Sequence, residues 1–185
     1  MTNAMQHQQG FTLLELLVTI AILAIAAAIA VPSMTDAVEK RNTISAAEAI
    51  FSQIHLARSE SIARSQPVFM NVVAGNGWAI GFGSDQNCDP SDNSPACTLP
   101  DLDNNNPITH LLTSADRENV SVTTSVNQIT FTPQRGLVTG ATINVTSRGR
   151  VGYAITINVG MLGQVSLCSP NADPTKHVTS YRPCS

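Results

Sequence analysis

Residues that could carry out chemistry are sparse in this sequence. Its 185 residues include four cysteines and four histidines, which form neither a Cys-x-x-Cys pair nor a Cys/His spacing typical of zinc sites. The sequence also lacks a Gly-x-Ser-x-Gly turn, a phosphate-binding glycine loop and a His-Glu-x-x-His pair. We therefore predict that the protein is not an enzyme and that it binds no metal or cofactor.

Glu15 is the first candidate functional residue because it is the only charge inside an apolar run. The run, Phe11–Val31, has 21 residues and contains two threonines besides this carboxylate. As a helix it would be about 30 Å long, which is the thickness of the hydrocarbon core of a bilayer. An unpaired carboxylate costs about 2.5–3.5 kcal/mol near the middle of a membrane and less near its surface. Glu15 therefore needs a partner.

A cleaved secretory signal is the alternative interpretation of this run, and Ala26–Ala30 would supply small residues for cleavage. However, the run is longer than the roughly 7–15 residues of a typical signal core, and no Lys or Arg precedes it. The pattern favours a membrane-spanning helix.

The composition of the whole chain excludes other classes of protein. Charged residues make up 12 % and apolar residues 43 %, which is unlike a charge-rich disordered tail. The net charge of −3 gives no general attraction to nucleic acid or to an anionic membrane.

The spacing of apolar residues changes along the chain, and this change predicts which segments are helix and which are strands. Pro32 removes one helical hydrogen bond, which predicts a kink, and a helical pattern resumes to residue 64. After Pro67 the period changes to two and turn signals recur, which is typical of strands. We expect an α+β fold with a long N-terminal helix, transmembrane in its first half, packed on a β-rich globular head.

The buried face of the helix and the strands can be predicted residue by residue. The expected apolar face consists of Ala47, Ile50, Phe51, Ile54 and Ala57, with Ile62 beyond. Strands are expected near residues 67–74, 77–82, 108–113, 119–124, 127–132, 141–147, 151–159 and 164–168. Gly75-Asn76 predicts a two-residue hairpin turn between the first two strands.

The N-terminal motif resembles the processing site of type IV pilins and type II secretion pseudopilins. Residues 9–16 read QGFTLLEL, and Pro32 stands where that family often has a proline. The resemblance implies that prepilin peptidase cuts between Gly10 and Phe11 and that the new amine of Phe11 is N-methylated. It also implies that Glu15 and Pro32 serve assembly, since Glu15 can pair with the amine of an adjacent subunit.

The leader of residues 1–10 departs from the family pattern. It is usually basic, whereas here it holds only His7, so orientation in the membrane rests on the processing motif. Either Met1 or Met5 could start the chain.

A second motif narrows the resemblance to the GspH/FimT/FimU family of minor pilins and H-type pseudopilins. Residues 57–68 read ARSESIARSQPV, in which Ser61 replaces an alanine of the family motif. The resemblance implies a minor subunit of a type IV pilus or of a type II secretion pseudopilus, FimU-like more than FimT-like. It further implies an inner-membrane anchor in contact with lipid, a periplasmic head, and other major and minor pilins as partners. The sequence does not choose between the two machines.

The head is predicted to contain an irregular acidic insert at residues 83–107. It holds five Asp, four Pro and no basic residue, and such an irregularity suits a rare subunit of a priming or tip complex. Asp101-x-Asp103-x-Asn105 hints at a calcium loop, but the sixth and twelfth positions, Asn106 and Leu112, lack the Gly and Glu that such a loop needs. A solvated loop is favoured.

The four cysteines, Cys88, Cys97, Cys168 and Cys184, follow the membrane run, on the side where disulfides form and persist. Three connectivities are possible. Pairing Cys88 with Cys97 would staple the insert. Pairing Cys168 with Cys184 would close a C-terminal loop like that of many pilins.

DNA uptake is the alternative function. FimT-type members carry Gly-Arg-x-Arg before a cysteine, whereas residues 163–168 here read GQVSLC and lack both arginines. Phosphate binding relies on Lys and Arg. The last 38 residues nevertheless carry a net charge of +3, from Arg148, Arg150, Lys176 and Arg182 against Asp173. DNA therefore stays an alternative partner, and a structural minor pilin is favoured.

The predicted domain plan has four parts. They are the leader 1–10, a transmembrane or filament-core helix 11–31, an amphipathic helix 32–64 and the head 65–185.

Overall fold

The computed structural model describes residues 11–92, 95–101, 106–117, 119–134, 137–170 and 176–184. Several predicted residues lie outside these ranges, namely the leader with Met1, Met5, His7 and Gly10, and also Asp103, Asn105 and Asp173.

One long helix and two sheets make up the described structure. The helix α1 spans Leu13–Arg64, and a short 3-10 helix spans Ser114–Asp116. The strands are β1 (Val68–Val73), β2 (Ala79–Gly83), β3 (Thr98–Pro100), β4 (Pro107–Thr113), β5 (Val120–Thr124), β6 (Gln128–Phe131), β7 (Ala141–Ser147), β8 (Ala154–Val159) and β9 (Val165–Cys168).

The chain divides into two compact units, Met1–Ala37 and Val38–Ser185, and α1 contributes residues to both. Apolar side chains in the first unit are exposed, as illustrated by Leu13 at 82 % and Ile22 at 61 %. Among the described residues α1 is the one helix long and apolar enough to span a membrane. It is continuous through position 32, and the kink at Pro32 stays a prediction.

The second unit contains two antiparallel sheets that share one core with α1. The five-stranded sheet has the order β3-β4-β2-β1-β6, and the four-stranded sheet has the order β5-β7-β8-β9. Buried side chains alternate with partly exposed ones along β1 and β7, as the period of two predicts. Helix residues Ile50 and Ile54 pack into the same core as Trp78, Phe82 and Ile157 from the sheet regions. The predicted α+β fold is confirmed.

The predicted hairpin turn at Gly75-Asn76 is wrong. The β1–β2 ladder ends at the pair Val73–Ala79, so five residues connect the two strands. Gly75 instead pairs with β5 of the four-stranded sheet. Its N–H donates to the Val122 carbonyl at 2.8 Å, and its carbonyl accepts from the Val122 N–H at 3.2 Å. A φ of +114° at this position favours glycine.

Two further boundaries differ from the expectation. The insert is not wholly irregular, because β3 lies within it and pairs with β4 through Leu99 opposite Ile108. In addition, β8 begins at Ala154 rather than at 151, because the preceding residues form a loop against α1.

Ser61, not Ile62, continues the buried face of α1. Ser61 lies one turn after Ala57 and is fully buried, whereas Ile62 is rotated by about 100° and is 50 % exposed. The Ser61 hydroxyl lies 2.9 Å from the Gln66 carbonyl and 3.0 Å from that of Phe131. The serine that replaces the motif's alanine therefore joins the helix end to β6.

Candidate assembly site

The N-terminal end of α1 is organised by Thr12 and Glu15. Thr12 precedes the first helical residue, and its Oγ1 accepts a hydrogen bond from the Glu15 backbone N–H at 3.2 Å. A threonine followed three positions later by a glutamate is the capping-box pattern, which satisfies the free N–H groups of a helix start. The helix thus begins two residues after Phe11, and Glu15 lies in its first turn, where the helix dipole favours a negative charge.

Glu39 fastens α1 to the loop between β7 and β8. Its Oε1 accepts hydrogen bonds from the Ser147 hydroxyl at 2.6 Å and from the Gly152 N–H at 2.7 Å. Burial alone would raise the pKa of Glu39, but the hydrogen bonds from Ser147 and from the backbone of residues 151–153 outweigh it and lower the pKa. Gly149 leaves room for this contact, because a Cβ there would lie 2.3 Å from Oε2.

The motif at the end of α1 ties the helix to one turn and one strand of the head. Arg58 donates to the Leu162 carbonyl in the β8–β9 turn at 3.4 Å. Glu60 forms an ion pair with Arg64 at 2.7 Å, and Arg64 also donates to the Pro100 carbonyl of β3. The contacts of Arg58 and Arg64 with backbone carbonyls join the helix to the rest of the head, whereas the ion pair between Glu60 and Arg64 lies within α1.

A disulfide and a side-chain amide restrain the described part of the insert. Cys88 and Cys97 are bonded, with an S–S distance of 2.15 Å. The Asn71 side chain on β1 donates to the Cys88 carbonyl at 2.7 Å and to the Gln86 carbonyl at 3.1 Å. Within the described residues, no group of three His, Cys, Asp or Glu side chains is arranged to hold a metal ion.

The C-terminal segment is closed by the second disulfide and by a helix contact. Cys168 and Cys184 are bonded at 1.99 Å. The Tyr181 hydroxyl donates to Glu48 Oε1 of α1 at 2.9 Å. Burial, together with this hydrogen bond and the negative charge of Glu48, raises the pKa of Tyr181 to about 12.

The four basic residues named as DNA-binding candidates have exposed side chains. Arg148 and Arg150 lie in the β7–β8 loop that Glu39 holds, and Lys176 lies beside the same loop. Arg182 lies beyond the end of β9, where its carbonyl accepts a hydrogen bond from Ser169. The Glu39 carboxylate offsets part of the positive charge of the loop.

Sequence reasoning missed the residues of α1 that bind distant loops. Glu39, Glu48 and Ser61 read as ordinary helix residues, because their partners lie 70 or more residues away in the sequence. The cap at Thr12 could have been predicted, since the pattern Thr-x-x-Glu precedes an apolar run.

Known protein families match both the N-terminal segment and the head of this chain. Residues 46–163 match the family described as type II transport protein GspH, and residues 5–31 match the prokaryotic N-terminal methylation motif. No curated protein matches the chain.

Two crystal structures of the type IV minor pilin FimU from Pseudomonas aeruginosa strain PAO1 are similar to this chain, each at 17 % identity. They cover 71 % and 74 % of this chain and 92 % of their own chains, with TM-scores of 0.47 and 0.48.

Proposed function

Because this chain belongs to the family of the type II transport protein GspH and is a minor pilin or pseudopilin subunit, we propose that it works in the complex that primes or tips a type IV pilus or type II secretion pseudopilus. One observation carries the proposal. A methylation motif on an exposed apolar helix and a GspH-type head occur on a single chain, as a filament subunit requires.

The methylation motif implies processing by prepilin peptidase. The cut lies between Gly10 and Phe11, and the new amine of Phe11 is N-methylated. The apolar helix and the motif fit a membrane-anchored pilin, and in this proposal the anchor crosses the inner membrane once. A periplasmic head agrees with its two disulfides, because that compartment is oxidising.

Glu15 provides the contact that orders the subunit in a filament. Other pilins are the partners that family membership implies, and each processed pilin presents a positive amine at its N-terminus. The Glu15 carboxylate pairs with such an amine, so that both charges are buried together. Pro32 directly follows the apolar segment and serves its packing in the filament core.

The insert supports the proposal that this subunit occupies a rare position in the filament, such as the tip, rather than the repeated position of a major subunit. A subunit repeated many times in a filament tolerates few large surface irregularities. The disulfide Cys88–Cys97 and the hydrogen bond from Asn71 restrict the described part of the insert. A restricted segment loses less entropy on docking to partner subunits at the tip.

DNA binding is not part of the function proposed for this chain. Of the basic residues, Arg148 and Arg150 share their loop with the Glu39 carboxylate, which reduces the charge available to phosphate.

A deletion strain tests the proposed function. We expect fewer surface filaments or less secreted substrate in the strain, and restoration by the wild-type chain. The subunit should also be found in sheared filaments in small amounts relative to the major pilin. Normal filaments together with normal secretion in the deletion strain would contradict the proposal.

A further inference from the structure

The two sheets have four edge strands, and within the described residues two of these edges are covered and a third is very short. Phe131 of β6 bridges to Val138, and Val122 of β5 exchanges backbone hydrogen bonds with Gly75. The edge strand β3 has three residues and ends at Pro100. Short strands, prolines and covering loops are the means by which proteins protect sheet edges.

The fourth edge, β9, presents backbone groups outward. In the hairpin that joins it to β8, the Gly160 N–H donates to the Gln164 carbonyl at 2.9 Å. Bonded and non-bonded pairs alternate along an antiparallel ladder. The even-numbered residues of β9 therefore bond to β8, and the N–H and C=O groups of Val165 and Leu167 point away from it.

The C-terminal segment covers only the far end of this edge in the described part of the chain. Ser169 is also odd-numbered and points outward, where its N–H donates to the Arg182 carbonyl at 2.9 Å and its carbonyl accepts from the Cys184 N–H at 3.1 Å. This parallel bridge stops at Ser169. The groups of Val165 and Leu167 form the next two positions of the same edge.

The hairpin that carries this edge has no charged side chain of its own. Residues 159–170 contain no Asp, Glu, Lys or Arg. Met161 and Leu162, in the turn before β9, are 73 % and 70 % exposed, and Arg58 binds the Leu162 carbonyl. Positive side chains lie at the two ends of this stretch, namely Arg58 at the turn and Arg182, which is exposed, beyond the end of β9.

We propose that β9 is a docking edge, to which another pilin-type subunit adds an extended segment beside Val165–Leu167. The outward N–H and C=O groups recognise extended backbone, and Met161 and Leu162 take an apolar side chain of that segment. An acidic side chain of the segment faces Arg182. The inference rests on the proposed function, because that function supplies other subunits as neighbours.

A second copy of this chain fits the edge less well. Its own β9 lies within residues 159–170, which contain no acidic residue to face Arg182. A different subunit with an acidic residue beside an apolar strand matches both the charge and the apolar turn.

Substitutions at Val165 separate the backbone from the side chain. Val165→Pro removes the outward N–H but no bond to β8, and prolines are tolerated on the solvent side of edge strands. Val165→Ala also removes most of the valine side chain but keeps the backbone N–H, so it is the matched control. Ser166→Lys places a lysine at an exposed edge position and is a second way to block pairing.

The test is photo-crosslinking of the full chain in cells, with the crosslinker at Ser166. The control position is Thr123, which is exposed on β5, whose edge Gly75 covers. We expect a product at Ser166 whose peptide maps to an acidic, strand-forming segment of another pilin-type subunit, and none at Thr123.

Val165→Pro should lower the yield about tenfold, since one bond is lost and the partner's carbonyl is left unpaired, while Val165→Ala stays within about twofold. Lower protease resistance of Val165→Pro than of wild type would show that the proline disturbs the fold. In that case Ser166→Lys, with the crosslinker moved to Gln164, provides the test, and it should lower the yield in the same way. A product with a second copy of this chain, or equal losses in Val165→Pro and Val165→Ala, would overturn the inference. Absence of any product from a subunit that is present in sheared filaments would also overturn it, whereas absence of the subunit from filaments would contradict the proposed function.

Discussion

The two units of this chain treat apolar side chains in opposite ways. In the first unit Leu13 and Ile22 are mostly exposed, whereas in the second Ile50 and Ile54 are fully buried against the sheets. The second unit therefore supplies its own hydrophobic core. The exposed apolar surface of the first unit is available to lipid or to other subunits. The first unit matches a linear motif, whereas the second is held together by contacts between residues that are distant in the sequence.

The largest expected effect comes from removing the charge of the first unit. Glu15→Ala should leave processing intact but make the free energy of assembly less favourable by about 3–5 kcal/mol, because a neighbouring amine is left buried without its partner. The variant should therefore be much less abundant in filaments. Thr19→Ala, one turn further along, is the control. Quantification of the subunit in sheared filaments and in membranes separates assembly from expression. Normal incorporation of the Glu15 variant would remove the assembly role.

A matched pair of isoleucines tests the comparison directly. Ile54→Ala should lower the free energy of unfolding of the head by about 2–5 kcal/mol, because it leaves a cavity in the core. Ile22→Ala should change it by less than about 0.5 kcal/mol, since that side chain is exposed in a separate unit. Denaturant unfolding of the full chain in detergent measures both. Similar losses in the two variants would break the distinction between the units.

The disulfides sharpen the comparison within the head. Replacing Cys168 and Cys184 by serine should cost about 3 kcal/mol, and replacing Cys88 and Cys97 about 2.5 kcal/mol, because the first pair closes 16 residues and the second closes 9. Denaturant midpoints of the two double variants give the ranking. A larger loss from the shorter loop would show that loop entropy does not set their contributions.

The smallest effect is expected at Glu39. Glu39→Gln should cost about 1–2 kcal/mol at neutral pH, because it weakens charge-assisted hydrogen bonds from Ser147 and the β7–β8 loop. The folded-state pKa of Glu39 is lowered, so its contribution is present above the usual Glu pKa of about 4.3 and is lost as the pH falls through the lower, folded value.

The pH dependence distinguishes this contact from an ordinary surface charge. The difference in stability between wild type and Glu39→Gln should shrink as the pH is lowered through that range. Glu60→Gln, which removes the ion pair with Arg64, serves as the control and should cost less than about 1 kcal/mol. A difference at Glu39 that is constant with pH would contradict the role of its charge.

The sequence predicted the features that depend on neighbouring residues. Period-two strands such as β7, the apolar helix face at Ile50 and Ile54 and the α+β fold all follow from local patterns. The turn at Gly75 could not be predicted, because Val122 of the other sheet binds that glycine in place of a tight hairpin.

Contacts over long sequence distances explain the other differences. Burial of Ser61 instead of Ile62 depends on the Phe131 carbonyl of β6, which the helix pattern alone does not indicate. The late start of β8 depends in the same way on Glu39, whose carboxylate binds the preceding loop. Each is a tertiary contact that overrides a local signal.

The most direct test of the account is the N-terminus of the mature subunit in purified filaments. Peptide mass spectrometry should find N-methylated Phe11 as its first residue, and a bulky residue in place of Gly10 should leave the precursor uncut in the membrane. An N-terminus at Ala26–Ala30, as a secretory signal would produce, would remove Glu15 from the mature chain. That result, or an uncut wild-type precursor in the filaments, would contradict the claim that this chain is processed as a pilin.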